Sequence, residues 1–245
     1  MIGVIGGSGL SQLPGLNIVE KIQLNTPFGE PSAPIIKGEL NGQTLMFLPR
    51  HGEHHTIPPH LINYRANLWA LHHLGVRKIL AVAAVGGISD VMVPGVLALP
   101  DQLIDYTWGR DSSLFSEDFS ADKHIDFTCP YDADLRQKIL SAAANISLNV
   151  IDGGCYAVTQ GPRLETAAEV RRLANDGADM VGMTAMPEAA LARELGVAYA
   201  GIAVVANHAA GLTEKALTME DILQTLATAM DSVKQLITAV VDRLN

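Results

Sequence analysis

The stretch YAGIAVVANHAAG, residues 199–211, decides how this chain is read. From Tyr199 to Ala206 it is apolar at odd and even positions alike. A strand with one wet face alternates polar and apolar residues. A strand that is apolar on both faces belongs to a sheet covered by helices on both sides. The run then stops at Asn207 and His208, and Ala209, Ala210 and Gly211 keep the next turn small. An amide at the mouth of a buried strand faces the edge of the sheet where α/β proteins bind ligands.

Working outward, the same signature recurs. Strands are expected at 1–6, 43–49, 78–85, 97–104, 155–160, 179–184 and 199–206, and helices at 60–75, 133–144, 165–176, 187–196 and 219–243. Gly177 and Gly196 end two of these helices, and Pro187 opens one. The pattern predicts a single α/β domain over 1–245 with a central mixed sheet flanked by helices in three layers. Residues 107–131, rich in Ser, Asp and aromatic side chains, read as a long surface loop of the kind that carries function or an interface.

Composition narrows the function. The 245 residues suffice for a substantial core, and a hydrophobic fraction of 48% excludes disorder. The net charge of −9 argues against nucleic acid or an anionic membrane as partner. An anionic small ligand would need a local site. Two cysteines, Cys129 and Cys155, are too few for a disulfide framework and fit a reducing, cytoplasmic setting. MIGVIGGSGL lacks the basic start of a signal peptide, and no apolar run reaches the ~18 residues that span a membrane.

Four further segments carry polar groups at strand ends. GGSGL (6–10) is either a tight turn or a cradle whose backbone N–H groups and Ser8 hydroxyl hold a phosphate; it has neither the GxGxxG nor the P-loop spacing. In PRHGEHH (49–55), Arg50 and His51 leave a strand as donors for an anion, while His54 and His55 read as loop. Zinc is disfavoured there, since Glu53 is the sole nearby carboxylate. TQGPRLET (159–166) places Glu165 at a helix start, where it either caps or accepts from a ligand. GMTAMPE (182–188) brings Met183 against an apolar ring and Thr184 towards a ligand, or leaves them as core and cap. No Ser-His-Asp order or activated Cys is present, so covalent catalysis is not favoured.

Together GGSGL, RHGEHHTIPPHLINYRANLWAL, TQGPRLET and GMTAMPE resemble, in order and spacing, the trimeric purine nucleoside phosphorylases and methylthioadenosine phosphorylases over nearly the whole chain. The resemblance implies a homotrimer that cleaves a purine nucleoside with inorganic phosphate as co-substrate and no metal or organic cofactor. It implies that Ser8, Arg50, His51 and Thr184 hold phosphate, with backbone N–H near Ala84 standing in for a Thr that relatives have where this chain has Ala83. Met183 then lies under the ribose, Leu164 replaces a Phe stacked on the base, and Asn207 and Glu165 read the base and act in catalysis. Methylthioadenosine enzymes have Asp at the positions of Asn207 and Ala209. An Asn donates to a 6-oxo group where Asp accepts from a 6-amino group, and Glu165 accepts N1–H, which adenine lacks. Met219, Ile222 and Leu223 fall where relatives read the 5′ group, and His124 matches a residue that relatives contribute across the trimer interface. The apolar trio suits a methylthio group, or is plain core at helical spacing. The expected reaction is phosphorolysis of methylthioinosine to hypoxanthine and 5-methylthioribose 1-phosphate, with inosine, guanosine or methylthioadenosine as alternative substrates.

Overall fold

A computed structural model of the chain describes residues 1–7, 10, 13–213 and 218–243. Eleven strands form one mixed sheet whose hub is β5 (Lys78–Gly87). On one side, β5 pairs in parallel with β11 (Ala198–His208) along nearly its whole length. On the other side it changes neighbours. β1 (Ile2–Gly6) runs parallel to it along Lys78–Ala81, and β10 (Met180–Gly182) runs antiparallel to it along Gly86–Gly87. Beyond β1 lie β4 (Gln43–Pro49), β3 (Ile35–Leu40) and β2 (Asn17–Ile22). Beyond β10 lie β9 (Cys155–Val158) and β7 (Gln102–Asp105), while β6 (Leu97–Leu99) and β8 (Val150–Asp152) extend the sheet from β11.

The two-residue alternation of the central strands builds two cores. Ile79, Ala81 and Val85 of β5 and Tyr199, Ala203 and Val205 of β11 face α1 (Tyr64–His73) and α4 (Ala185–Glu194). Leu80, Val82, Ala200, Ile202 and Val204 face α2 (Ala133–Asn145) and α5 (Met219–Arg243). On this second face, α3 (Ala167–Asn175) covers β9 and β10 through Val170 and Leu173 against Ala157 and Val181. This is the expected three-layer arrangement. In α5, Val233, Leu236, Ile237, Val240 and Val241 are fully buried, a stripe at i, i+3, i+4, i+7 and i+8. Asn63, Asp132 and the Thr166–Glu169 capping box close the first turns of α1, α2 and α3.

Several boundaries differ from expectation. The segment 97–104 is two strands, broken at Pro100–Asp101: β6 pairs with β11 and β8, whereas β7 pairs with β9. Proline cannot donate to a ladder, and Asp101 turns its carboxylate to the Gly154 N–H at 2.9 Å. The helix expected over 60–75 begins at Tyr64, after a 3₁₀ turn at Pro59–Leu61. The helix expected from Pro187 begins at Ala185 with a kink at Met186, whose φ of −116° and ψ of 137° are those of a residue pushed out of the helical region by the following proline. β2, β3 and β8 were not anticipated. β2 is an edge strand whose side chains face water, so its sequence carries no burial signal. Among the described residues, no helix is long and apolar enough to cross a membrane.

Candidate active site

The change of neighbours along β5 makes the site. β1 stops opposite Ala81 and β10 stops short of it from the other direction, so Val82–Val85 has no strand beside it on that edge. Such a switch in strand order leaves a crevice at the ends of the strands that stop there. Arg50, next after β4, enters the crevice and donates through Nη1 to the Val82 carbonyl at 2.8 Å. The two-residue repeat of an extended backbone turns Ala84 N–H to the same side as Val82 C=O. Ala84 is exposed in the middle of a strand whose neighbours Val82 and Val85 are buried.

Arg50 is itself buried. Its Nε and Nη2 donate to the two oxygens of Glu188 at 2.7 Å each, and the Tyr199 hydroxyl donates to the same carboxylate at 2.9 Å. Burial alone would disfavour the charge, but Glu188 outweighs it and holds the guanidinium firmly protonated. Three of its five N–H groups are thus engaged, and two remain for an anion. Arg50 and Thr184 line one small internal cavity, together with Tyr131, Tyr156 and Tyr199. Glu188 has no exposed surface and was not singled out from sequence. The signal was there: a carboxylate inside the otherwise apolar run AMPEAALA.

His51 differs from the donor expected of it. Burial, and after it the Arg50 charge, push its pKa down to about 4, so the ring is neutral near pH 7. Its Nδ1 lies 2.9 Å from the Ile57 carbonyl, which accepts, so Nδ1 carries the proton and Nε2 presents a lone pair. Hydrogen phosphate, HPO4²⁻, has one O–H to give to such an acceptor.

On the opposite edge of β5, β11 carries a bulge between Val205 and Asn207, so that Asn207 rather than Ala206 pairs with Gly86. The extra residue turns Asn207 onto the face of Ala84; in unbroken register it would face α1 and α4. Asn207 Nδ2 donates to the His208 carbonyl at 2.7 Å, which fixes the sense of the amide and leaves one N–H and Oδ1 outward. Buried Ala209 packs beneath it against α3. Glu165 accepts the Thr159 hydroxyl at 2.6 Å on one oxygen, leaving the other free. Met183 lies over Gly161, where a Cβ would sit 2.4 Å from its sulfur.

Other expected residues are less gathered. Leu164 is half exposed beside Glu165. Met219 and Leu223 are 62% and 61% exposed in the first turn of α5, while Ile222 between them is buried. His124 is exposed on the 107–131 loop, edge-on to Phe119 of the same loop. Ser8 lies outside the described residues, as do 214–217 before α5.

Comparison with known proteins places this architecture. The profile of the phosphorylase superfamily matches residues 1–242. A "probable S-methyl-5′-thioinosine phosphorylase" of Pseudomonas syringae pv. tomato is 51% identical over 231 residues, covering 94% of this chain and 94% of that protein. A "probable 6-oxopurine nucleoside phosphorylase" of Thermococcus kodakarensis is 43% identical over 241 residues, 96% of this chain and 90% of that one. The crystal structure of a methylthioadenosine phosphorylase from an antarctic soil metagenomic library superposes with a TM-score of 0.93 at 37% identity, over 98% of this chain and 85% of that one. With its whole length matched by that profile and by these relatives, the chain belongs to the phosphorylase superfamily, among its purine nucleoside phosphorylases.

Proposed function

We infer that the protein cleaves S-methyl-5′-thioinosine with phosphate, giving hypoxanthine and 5-methylthioribose 1-phosphate. The observation that carries the base preference is the bulge that turns Asn207 onto the face of Ala84, with one amide N–H not taken by the His208 carbonyl. That N–H donates to a 6-oxo group and Oδ1 accepts N7–H as charge moves onto the leaving purine. The free oxygen of Glu165 accepts N1–H. Adenine would meet that oxygen with a lone pair, and one such unpaired contact costs ~1–3 kcal/mol. Phosphate binds between Arg50, Thr184 and the Ala84 N–H, with the Ser8 hydroxyl as a further donor, and His51 Nε2 accepts a hydrogen bond from its single O–H. This turns an unprotonated oxygen towards C1′ as the glycosidic bond stretches with oxocarbenium character, so positioning does most of the work. Met183 floors the ribose and Leu164 lies against the base.

The 5′-methylthio preference rests on Met219, Ile222 and Leu223, completed by His124 of a neighbouring subunit in a homotrimer. The exposure of Met219 and Leu223 in the single chain fits side chains that await such a neighbour. It equally favours a second reading, a general 6-oxopurine nucleoside phosphorylase, in which they enclose nothing. The reaction as written needs no metal or organic cofactor, and two free thiols support a reducing cytoplasm. The test is turnover of methylthioinosine, inosine, guanosine and methylthioadenosine, each with and without phosphate. The expected result is phosphate-dependent cleavage with methylthioinosine fastest. Phosphate-free hydrolysis would sink the phosphorolysis, and equal kcat/KM for methylthioinosine and inosine would promote the second reading.

A further inference from the structure

Arg110 stands outside everything assigned so far. It lies in the long loop after β7, yet its guanidinium is turned inward beneath the crevice. Nη1 donates to the carbonyls of Met183 (2.8 Å) and Met186 (2.5 Å) and, at longer range, to the Tyr64 hydroxyl (3.3 Å). Nη2 donates to the carbonyls of Thr159 (3.2 Å) and Gln160 (2.9 Å), and Nε to the Gln160 side-chain oxygen (3.2 Å). The Tyr64 ring lies 5.6 Å from the guanidinium carbon. These partners are four main-chain carbonyls from two segments, plus the neutral side chains of Tyr64 and Gln160; none is a carboxylate.

The two segments are the loops that leave β9 and β10. The first carries Leu164 and Glu165, and the second carries Met183 and Thr184. β9 and β10 pair only along Met180–Gly182 against Tyr156–Val158, so beyond Gly182 the ladder no longer sets the spacing of the two loops. Thr159 N–H still reaches the Gly182 carbonyl at 2.8 Å; past that point, Arg110 makes the cross-links. A planar fork with five fixed donors suits this task, and an ammonium on a flexible stem does not.

We propose that Arg110 is a positioning residue that sets the distance between the base-reading loop and the ribose- and phosphate-reading loop. The idea rests on the phosphorylase reading above. It makes Arg110 a determinant of kcat for the nucleoside, acting through Glu165 and Met183 without touching substrate. It also ties the alignment of the site to the 107–131 loop, which is otherwise held by polar contacts such as Arg65–Asp111 and Ser113–Glu194.

The test uses the full-length protein with Arg110→Ala and Arg110→Lys. Arg110→Ala should lower kcat for the nucleoside on the order of 10²-fold, with KM for phosphate changed by less than about tenfold, because Arg50 keeps its own bonds to Glu188 and the Val82 carbonyl while Thr184 moves with the freed loop. Added guanidinium chloride at low millimolar concentration should restore activity to Arg110→Ala at least tenfold, and should do nothing for the native enzyme. Arg110→Lys should behave like Arg110→Ala. Hydrogen–deuterium exchange gives a readout independent of turnover: protection should fall in 159–166 and 183–186 together, while α5 stays as in the native protein. A kcat within threefold of native in Arg110→Ala, full function in Arg110→Lys, or unchanged protection in both loops would each overturn the proposal. If the native protein cleaves no nucleoside, the phosphorylase reading falls, and loop protection still decides whether Arg110 couples the two segments.

Discussion

Asn207 is the residue on which base choice turns. Asn207→Asp exchanges an N–H donor for an acceptor in a position the bulge fixes, so the ratio of adenosine-type to inosine-type kcat/KM should rise by roughly 5–150-fold, the range of one mismatched polar contact. An unchanged ratio would show that Asn207 does not read the base. Arg50 is harder to probe. Arg50→Ala leaves the buried Glu188 carboxyl without its cation, with only the Tyr199 hydroxyl still donating to it, and should cost ~3–5 kcal/mol of stability, so its loss of activity would say little about phosphate. Arg50→Met combined with Glu188→Gln removes both charges and should melt above Arg50→Ala while binding phosphate no better, which calorimetry and a melting curve can check. His51 adds a pH dependence. Its folded pKa is depressed, so between about 4 and the ordinary value of about 6.5 the unfolded chain holds the extra proton. Stability from this residue is complete above that window and lost as pH falls through it; His51→Gln should flatten the fall in Tm across the same range. Of these residues, Arg50 and Asn207 were legible because each interrupts an apolar strand with a polar group at its end. Glu188 shows as a carboxylate in an apolar run, but its pairing does not, since the partner lies 138 residues away and nothing local points to it.

At the scale of elements, what could be read was periodicity, and what could not was neighbour choice. The described helices and most of the buried strands announce themselves by apolar periods of 3.6 and 2, whereas β3, buried at Ile35, Ile36 and Leu40, is too broken by Lys37, Gly38 and Glu39 to show one. The edge strand β2 buries too little to leave a pattern, and the break at Pro100 divides a run that looks continuous. The crevice follows from β5 exchanging β1 for β10 midway, and the bulge in β11 follows from pairing; neither has a one-dimensional signature. Glycine at 161 shows how tightly the loops are set. Its φ of +61° already favours glycine, and a Cβ would strike the Met183 sulfur at 2.4 Å. Gly161→Ala should therefore lower Tm by several degrees, at about 1–2 kcal/mol for the backbone conformation alone. It should also reduce kcat for every nucleoside alike, because the ribose floor moves whatever the base. A selective loss on one base would point instead to displacement of Glu165. In α5, Met219→His tests the 5′ pocket: a polar partner for a 5′-hydroxyl should narrow the gap between methylthioinosine and inosine, and a gap that stays put would remove Met219 from the pocket.

The whole molecule leaves apolar side chains around the site uncovered. Trp108 is 72% exposed and Phe119 59%, both on the 107–131 segment, and Leu164, Met219 and Leu223 are exposed near the crevice or at the start of α5. A chain of net charge −9 that buries its two cores thoroughly, yet leaves these residues in water, carries an apolar rim of the kind that marks an interaction surface. If the cover is a second copy arranged in a ring of three, each subunit lends its 107–131 loop, and with it His124, to one neighbour only. That arrangement can be tested by complementation. A double variant Asn207→Ala/Glu165→Gln should have no working base site but a native loop. A His124→Ala variant should have a native base site but should fail to complete its neighbour's. Neither alone should reach native rates on methylthioinosine. Unfolded together in equal amounts and refolded, they should form mixed trimers in which about a quarter of the sites combine an intact base site with an intact neighbouring His124. Activity should then exceed the mean of the two separate preparations, by a margin set by how far His124→Ala impairs the enzyme. Activity equal to that mean, with light scattering confirming trimers, would show that His124 serves no site across the interface. A single-chain mass in solution would remove the interface itself and leave the exposed apolar rim to another partner.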